Sequence, residues 1–464
     1  MELNEASWLR LAPRQRETLR AALERTLREA ILEGPLRPGA RLPSSRALAV
    51  QLGVSRGVTT EAYAQLAAQG FLVTRTKAAP VVAALPQRSA TSRPASATRR
   101  PPRYDLTPTT PDVTLFPAGR WASALVDAAR TAPTAAYGYG DPRGEPELRE
   151  VLADQLGRTR GVVADPERII VVQGSAQGVN LLMDVLAARG AGRVAVEDPS
   201  FNSQPERIRA RGLEAAGQPV DPSGLVVEGL CADAVLVTPA HQFPTGAVLS
   251  GPRRRQLLEW ARVGQALVIE DDYDAEFRYD REPVRALQGL DPDRVAYLGT
   301  ASKTLAPALR LGWVVVPAEL AGEAERVKHL LDFCSPSLQQ LALARFVARG
   351  DYDRHVRRAR GIYRRRRDRL LAALGADLPA LGVEGVAAGM HVLLRLPPGV
   401  DDRLVAAEAE REGVRVVPLS TYQLAPGRGG LVAGYGRVHE TALAGAVAAL
   451  ARALRRVVQT SSSE

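Results

Sequence analysis

The chain has 464 residues, enough for two or three domains with large apolar cores. Its 45% hydrophobic and 24% charged residues are typical of a globular protein, and no apolar run reaches the ~18 residues of a membrane helix. The opening MELNEASWLR lacks a signal-peptide pattern, and the two distant cysteines, Cys231 and Cys334, exclude a disulfide framework. The cytoplasm is therefore the expected compartment.

The net charge of +10 lies entirely in the N-terminal part of the chain. Residues 1–83 carry 12 basic and 7 acidic side chains, residues 84–103 carry five arginines and no acid, and the remainder is neutral. A basic unit on a neutral body indicates a polyanionic partner, although a solvated charged surface explains the charge equally well.

The first predicted element is a helix from Glu17 to Glu33. Leu19, Leu23, Leu27 and Ile31 recur every four residues and give this segment one apolar face. The Gly-Pro pair that follows ends the helix.

Two further helices and a strand pair follow. The second helix has Ser44 or Ser45 as its N-cap and ends before the turn at Gly53. The third runs from Ser55 to Gln69, and a strand pair is expected between residues 70 and 82. Helices joined by a glycine turn and followed by a strand pair predict a winged helix-turn-helix, which binds DNA.

In such a unit the first turn of the third helix faces the bases of the major groove. Arg56 can bind guanine with two hydrogen bonds, and the free amides at the start of the second helix suit a backbone phosphate. Arg75 and Lys77 lie at the wing tip. The expected DNA contacts are Ser44, Ser45, Arg46, Ser55, Arg56, Thr59, Thr60, Arg75 and Lys77.

This segment carries a family resemblance. PLRPGARLPSSRALAVQLGVSRGVTTEAYAQLAAQGFLV, residues 35–73, resembles the GntR-type DNA-binding domain almost throughout. The wing tip departs from the family, which has a glycine-rich turn where this chain reads TRTKAAPVV. The alternative is a three-helix unit used for protein contacts, and the dense match together with the basic charge favours DNA.

A linker separates this unit from the rest of the chain. Residues 84–103 read ALPQRSATSRPASATRRPPR, rich in Pro, Ser, Thr, Ala and Arg and without apolar periodicity. We expect a DNA-binding domain at 1–83, a linker at 84–110 and a large body at 111–464.

Short apolar runs alternate with helical stretches in the body. They are Ile169–Val172, Val194–Val196, Ala234–Val237, Ala266–Ile269 and Trp313–Val316. This alternation predicts a mainly parallel α/β sheet, whose ligands bind at the carboxyl ends of the strands.

Lysine is scarce in this chain, which has 58 arginines and only Lys77, Lys303 and Lys328. A retained lysine indicates a need for an amine that deprotonates and attacks a carbonyl. Thr300 and Ser302 precede Lys303 and Arg310 follows it, so the segment combines that amine with phosphate ligands. It is the pattern expected for pyridoxal 5'-phosphate (PLP) held as a Schiff base, although an ordinary surface loop is the alternative.

Three other strand ends supply complementary groups. Asp271 suits the pyridine nitrogen of PLP, and Tyr273 suits its phenolic oxygen. Ser175 and Ala176 lie in a small-residue turn that opens a helix and suits a phosphate, and Phe201 can stack on a flat ring. Taken singly, each has a structural alternative: a strand cap, a common turn or a core aromatic.

Together these pieces resemble the fold-type I aminotransferase domain from about Tyr137 to Arg310. YGYGDPRGEPELREVLADQLGRTRGV resembles the family's opening segment on the substrate side. HQFPTG, residues 241–246, and EDDYDAEF are typical of MocR regulators, which fuse a GntR-like domain to an aminotransferase-like body. The expected fold class is thus multidomain, a small α+β winged helix-turn-helix joined by a linker to a large α/β fold-type I domain.

The resemblance implies a head-to-tail homodimer, with PLP or its adduct with an amine as effector. Two departures bear on function. Phe243 stands where ordinary aminotransferases have an Asn that contacts the phenolic oxygen, and Val432 stands where many have an Arg that clamps a substrate carboxylate. Arg428 and Arg437 are near but off register. The missing carboxylate clamp argues against turnover of amino acids and favours PLP itself as the signal, as in the regulators of vitamin B6 synthesis within this family.

Several alternatives stay open. The chain is also consistent with an active PLP-dependent aminotransferase, and less so with an architectural nucleic-acid protein whose body is inactive. The arginine-rich stretch 354–369 is a second DNA-contact face or, as we favour, a solvated helix face. The five histidines show no metal-ligand spacing, so no metal site is expected.

Overall fold

The computed structural model describes residues 11–33, 35–74, 78–84, 101–279 and 284–461. The chain forms two compact units that divide between Arg100 and Pro101. Within the described residues, no helix is long and apolar enough to cross a membrane.

The N-terminal unit contains three helices and a two-stranded antiparallel sheet. Its elements are α1 (Leu19–Leu32), α2 (Ser45–Leu52), α3 (Arg56–Ala68), β1 (Leu72–Val73) and β2 (Val81–Val82). Gly53 has a φ of +64°, a left-handed conformation that glycine adopts without strain and that makes the turn between α2 and α3. The predicted helices and strand pair are confirmed to within two or three residues at each end.

The second unit contains ten helices among its described residues. They are α4 (Ala118–Thr131), α5 (Pro146–Arg160), α6 (Ser175–Ala188), α7 (Ser203–Arg209), α8 (Gly251–Gly264), α9 (Ala321–Asp332), α10 (Ser337–Ala348), α11 (Asp351–Asp377), α12 (Asp402–Arg411) and α13 (Leu443–Ser461).

The strands of this unit form one large sheet and two smaller ones. They are β3 (Tyr104–Asp105), β4 (Ile169–Val172), β5 (Arg193–Asp198), β6 (Glu214–Asp221), β7 (Gly224–Leu225), β8 (Ala234–Val237), β9 (Leu267–Asp272), β10 (Val295–Thr300), β11 (Gly312–Val315), β12 (Gly382–Glu384), β13 (His391–Arg395), β14 (Val414–Arg415), β15 (Val417–Pro418) and β16 (Gly430–Gly434).

The large sheet has the strand order β4-β11-β10-β9-β8-β5-β6-β7. Strands β10, β9, β8, β5 and β6 run parallel, whereas β11 is antiparallel to both its neighbours and β7 is antiparallel to β6. The prediction of a mainly parallel sheet is therefore confirmed. Because β11 runs against β4 and β10, those two strands end at the same edge as β5, β8 and β9.

A smaller antiparallel sheet, β12-β13-β16-β15, packs with α11, α12 and α13 around its own apolar core. The expected boundary of the linker needs a correction here. Residues 101–110 belong to the body, because β3 pairs in parallel with β14 and the Gly434 backbone packs closely against Thr107 and Pro108. The composition of this stretch resembles that of the preceding linker, so the sequence did not reveal its pairing with a strand 310 residues away.

Candidate functional site

The helix-turn-helix presents its expected polar residues at the start of α2 and α3. The Ser44 hydroxyl caps α2 by accepting a hydrogen bond from the Ala47 amide at 3.1 Å, and the Ser55 hydroxyl caps α3. Arg46 and Arg56 are exposed, and neither forms an ion pair with a described residue. An exposed guanidinium without an acidic partner is free to bind phosphate or a base edge.

Thr59 is the exception among the expected DNA contacts. Its side chain is fully buried, and its hydroxyl lies 2.8 Å from the Ser45 carbonyl oxygen and 3.0 Å from that of Arg56. Thr59 therefore joins α2 to α3 and cannot reach DNA. Thr60 is exposed and Ser45 half-buried, whereas Arg75 and Lys77 lie outside the described residues.

The second unit has an open cavity at the carboxyl edge of the large sheet, and its empty space of about 750 Å³ includes the solvent at its mouth. Six of the expected cofactor residues line it, and each lies near the end of a strand or within a few residues after it: Ser175, Ala176, Phe201, Asp271, Tyr273 and Lys303. Thr300, Ser302 and Arg310 lie beside it rather than in its lining.

Burial shifts the pKa values of both Lys303 and Asp271 in this cavity. Burial lowers the pKa of the Lys303 amine, while the Asp274 and Asp271 carboxylates oppose that shift. Burial and the neighbouring Asp272 raise the pKa of Asp271 to about 7. The Oδ1 atom of Asp271 is buried and has no hydrogen-bond partner among the described residues. A buried unpartnered carboxylate oxygen is costly unless a ligand supplies a donor.

Arg310 lies close to the N-terminus of α6. Gly174 precedes the helix with a φ of +82°, and a Cβ at this position would lie 3.0 Å from the Arg310 guanidinium. Arg310 itself has a φ of +52°, a strained conformation for a residue with a side chain. The free amides of Ser175 and Ala176 and this guanidinium are groups that could hold a phosphate.

The hydroxyls of Thr300 and Ser302 lie next to each other at 2.9 Å. The Thr300 hydroxyl donates to the Ser302 hydroxyl and accepts from the Ser302 amide at 3.1 Å. Because the Ser302 hydroxyl accepts from Thr300, its own proton stays available to a ligand, so Thr300 orients Ser302.

Aromatic rings form one wall of the cavity. Phe201 is 45% exposed and packs edge-on against Phe243, with ring centroids 6.0 Å apart. Phe243 also packs against Tyr273 and Tyr422. The position expected to hold the Asn of ordinary aminotransferases is thus an apolar ring in the wall of the cavity.

Sequence reasoning missed Thr109 and Arg207 and gave no role to Glu197, all of which line the cavity. Glu197 is buried, which raises its pKa to about 7, and it accepts hydrogen bonds from Thr238 and Gln242. Arg207 lies on α7 and has no ion pair with a described residue. Thr109 and Arg207 belong to no recognisable motif, whereas Glu197 was visible as a carboxylate near a strand end.

An apolar side chain, Val432, occupies the position where the sequence analysis expected the arginine that binds a substrate carboxylate to be missing. Val432 is fully buried in β16, in one apolar cluster with Phe243 and Tyr273. Arg437 pairs with Asp105, and Arg428 is exposed and outside the cavity lining.

A buried polar cluster lies behind Tyr273. His241, Asp274 and His391 have potential ligand atoms within 4.8 Å of one another, a proximity that sequence spacing could not reveal. The His241 Nδ1 atom lies 3.1 Å from Asp274 Oδ2 and 3.1 Å from the Tyr273 hydroxyl. These are hydrogen-bond distances, and the three groups can share one proton on Nδ1.

The arginine-rich stretch lies on α11. Arg354, Arg365, Arg366 and Arg369 form ion pairs with carboxylates, and Arg366 is buried. Three other arginines of this stretch are exposed and form no ion pair with a described residue: Arg357, Arg358 and Arg364.

Two family descriptions match the chain. Residues 16–82 match bacterial regulatory proteins of the gntR family, and residues 111–442 match aminotransferase class I and II. Both parts of the expected fold class are thereby confirmed.

Among curated relatives, the HTH-type pyridoxine biosynthesis transcriptional regulator PdxR of Corynebacterium glutamicum is 35% identical over 440 residues, covering 93% of this chain and 95% of the relative. The probable rhizopine catabolism regulatory protein MocR of Rhizobium meliloti is 33% identical, covering 88% of each. Among solved structures, the kynurenine aminotransferase of Pyrococcus horikoshii has a TM-score of 0.70 at 27% identity, covering 76% of this chain and 90% of that one.

Proposed function

Because the chain belongs to the MocR-type transcription regulators of the GntR superfamily, we propose that it binds PLP on Lys303 and changes its binding of operator DNA in response. The effector is PLP itself or an amine that reacts with bound PLP. Residues 1–83 bind DNA, and the aminotransferase-like body binds PLP and forms a homodimer. DNA binding places the protein in the cytoplasm.

The unpartnered Oδ1 atom of Asp271 carries the PLP proposal. It lies in the same cavity wall as the Lys303 amine, and a protonated pyridine nitrogen is the donor that would satisfy it. PLP, when bound, supplies the aldehyde that the Lys303 amine attacks. Arg310, Ser302 and the start of α6 would then hold its phosphate, and Tyr273 would donate a hydrogen bond to its phenolic oxygen.

Two features of the cavity favour PLP as the signal rather than an amino-acid substrate. Phe243 makes the wall apolar where aminotransferases have a polar ligand for the cofactor, and Val432, buried in the same apolar cluster, supplies no cation for a substrate carboxylate. The similarity to a regulator named for pyridoxine biosynthesis agrees with a role in vitamin B6 metabolism.

Arg207 favours a second candidate function. It is a cavity-lining arginine without a carboxylate partner among the described residues, so it can bind an anionic group of an amino donor. An aminotransferase would cycle PLP between its aldehyde and amine forms when given an amino donor and a keto acceptor. Sustained turnover of that kind would replace the sensor proposal with an enzymatic one.

The test is a DNA-binding titration on the region upstream of the protein's own gene, with and without PLP. We expect PLP to change the affinity or the footprint, and Lys303→Ala to bind DNA without responding to PLP. Equal binding in both states would make an amine the signal. Absence of DNA binding in both states would contradict the regulator proposal.

A further inference from the structure

Phe243 lies in the cavity wall next to Tyr273 and offers no hydrogen-bond donor. Tyr273 is the cavity-lining residue expected to donate to the phenolic oxygen of PLP. The state of its proton therefore decides whether the phenolate form of the cofactor is stabilised.

His241 controls where that proton goes. Its Nδ1 atom lies 3.1 and 3.2 Å from the two carboxylate oxygens of Asp274 and 3.1 Å from the Tyr273 hydroxyl oxygen. A ring nitrogen carries either one proton or one lone pair, and a carboxylate only accepts. The near-equal distances to both oxygens are those of an N–H group donating to a carboxylate.

With a proton on Nδ1, His241 cannot accept from Tyr273. The Tyr273 hydroxyl then accepts from His241 or stays beside it, and its own proton remains free for the cavity. With the proton on Nε2 instead, Nδ1 would accept the Tyr273 proton and the cavity would lose its donor.

We propose that Asp274 and His241 are a positioning pair, which fixes the Nδ1–H tautomer and so keeps the Tyr273 hydroxyl as a donor to the phenolic oxygen of PLP. This inference rests on the proposed binding of PLP to Lys303. Neither side chain is assigned contact with the cofactor, since each acts through Tyr273.

The surrounding backbone holds the His241 ring in place. Gly389 has a φ of +69°, and a Cβ there would lie 2.1 Å from the His241 Cε1 atom. The Gly389 carbonyl accepts hydrogen bonds from the Tyr435 hydroxyl at 2.7 Å and the Tyr279 hydroxyl at 2.6 Å. The two tyrosine hydroxyls thus hold the backbone at Gly389, where any side chain would collide with the His241 ring.

Other titratable groups also face this network. They are Glu197, Asp271, Lys303, His391 and Tyr435. Removing the Asp274 charge therefore has a direct electrostatic effect on the Lys303 Schiff base as well as an effect through His241. The two effects shift the pKa of the Schiff base in opposite directions, so a titration can tell them apart.

The experiment is a pH titration of the visible absorbance of the Lys303 Schiff base in full-length protein. Losing the Tyr273 donor destabilises the phenolate and raises the Schiff-base pKa, whereas losing a nearby negative charge lowers it. We expect Asp274→Asn to raise that pKa by about one unit. In the Tyr273→Phe background we expect Asp274→Asn to leave it unchanged or lower it.

A second pair of variants does not depend on Asp274→Asn folding. His241→Asn keeps an N–H donor near the position of Nδ1, so its Schiff-base pKa should stay near that of the unaltered protein. His241→Leu removes the donor and should raise the pKa, because Tyr273 then donates to Asp274.

An equal fall of the pKa in both backgrounds with Asp274→Asn would overturn the inference. So would identical titrations of His241→Asn and His241→Leu, or a bound metal ion whose removal by a chelator shifts the titration. If the unaltered protein gives no Schiff-base absorbance with PLP, the proposed function itself fails and the positioning role fails with it.

Discussion

Lys303 and Lys328 are both retained lysines in an arginine-rich chain, but their surroundings differ. Lys328 is fully buried, and its amine contacts Asp332 at 2.5 Å and Ser335 at 3.1 Å. Lys303 opens on the cavity, and burial lowers its pKa. The scarcity of lysine in the sequence made both residues candidates for a reactive amine. Their surroundings in the folded chain separate them, because Lys328 is paired with Asp332 and Lys303 faces the cavity.

This contrast gives a matched pair of variants. Lys303→Ala should abolish the Schiff-base absorbance with PLP and leave the unfolding temperature of the protein without PLP nearly unchanged. Lys328→Ala leaves the Asp332 carboxylate without its cation and should lower the free energy of unfolding by about 3 kcal/mol. Absorbance spectra and thermal unfolding measure the two effects. An unchanged Schiff-base spectrum in Lys303→Ala would contradict the site.

The buried acids predict a pH dependence of stability. Burial raises the pKa of Asp271 and Glu197 to about 7, above their values in an unfolded chain. At these two groups the folded protein binds more protons between about pH 4 and 7, so the stability that they contribute is greatest at low pH and is lost as pH rises through that range. Each group contributes at most about 1.4 kcal/mol per pH unit.

We expect the unfolding temperature of the PLP-free protein to fall from pH 5 to 7, and Asp271→Asn to reduce that fall. A fall of equal size in Asp271→Asn would show that Asp271 is not a buried acid of raised pKa.

At the scale of elements, periodicity and cap residues located the helices of the N-terminal unit well. Thr59 was nevertheless assigned to DNA although it shares the buried face of α3 with Ala62, Tyr63 and Leu66, at the i+3, i+4 and i+7 positions. The sequence alone could have shown this spacing. It could not have shown that Thr109 and Arg207 line the cavity, because their positions depend on long-range packing rather than on a local pattern.

The helices α3 and α11 provide a test of which arginines bind DNA. Arg56→Ala should lower operator affinity by about 1–3 kcal/mol, roughly 5- to 150-fold, because a contact to a base edge is lost. Alanine at Arg357, Arg358 and Arg364 together should leave the affinity unchanged, as expected for a solvated helix face. Fluorescence anisotropy over a salt series measures both, and a smaller salt slope in the triple variant would instead assign α11 to DNA.

At the scale of the whole molecule, one surface of the body exposes apolar side chains that no described residue covers. Tyr139 is 92% exposed and Phe333 60% exposed, with ring centroids 6.0 Å apart, and Leu330 beside Phe333 in sequence is 71% exposed. Phe333 has a φ of +60°, a conformation that strains a residue with a side chain. Exposed aromatic groups of this kind mark interaction surfaces, and the proposed homodimer would cover them.

We therefore expect the protein to sediment as a dimer of 49.7 kDa chains and the double variant Tyr139→Ser with Phe333→Ser to sediment as a monomer at low micromolar concentration. Val263→Ser is the matched control, since Val263 is 77% exposed on α8, away from this surface in sequence, and should leave the dimer intact. Analytical ultracentrifugation distinguishes the cases. A monomeric unaltered protein would contradict the homodimer, and a dimeric double variant would place its interface on another surface.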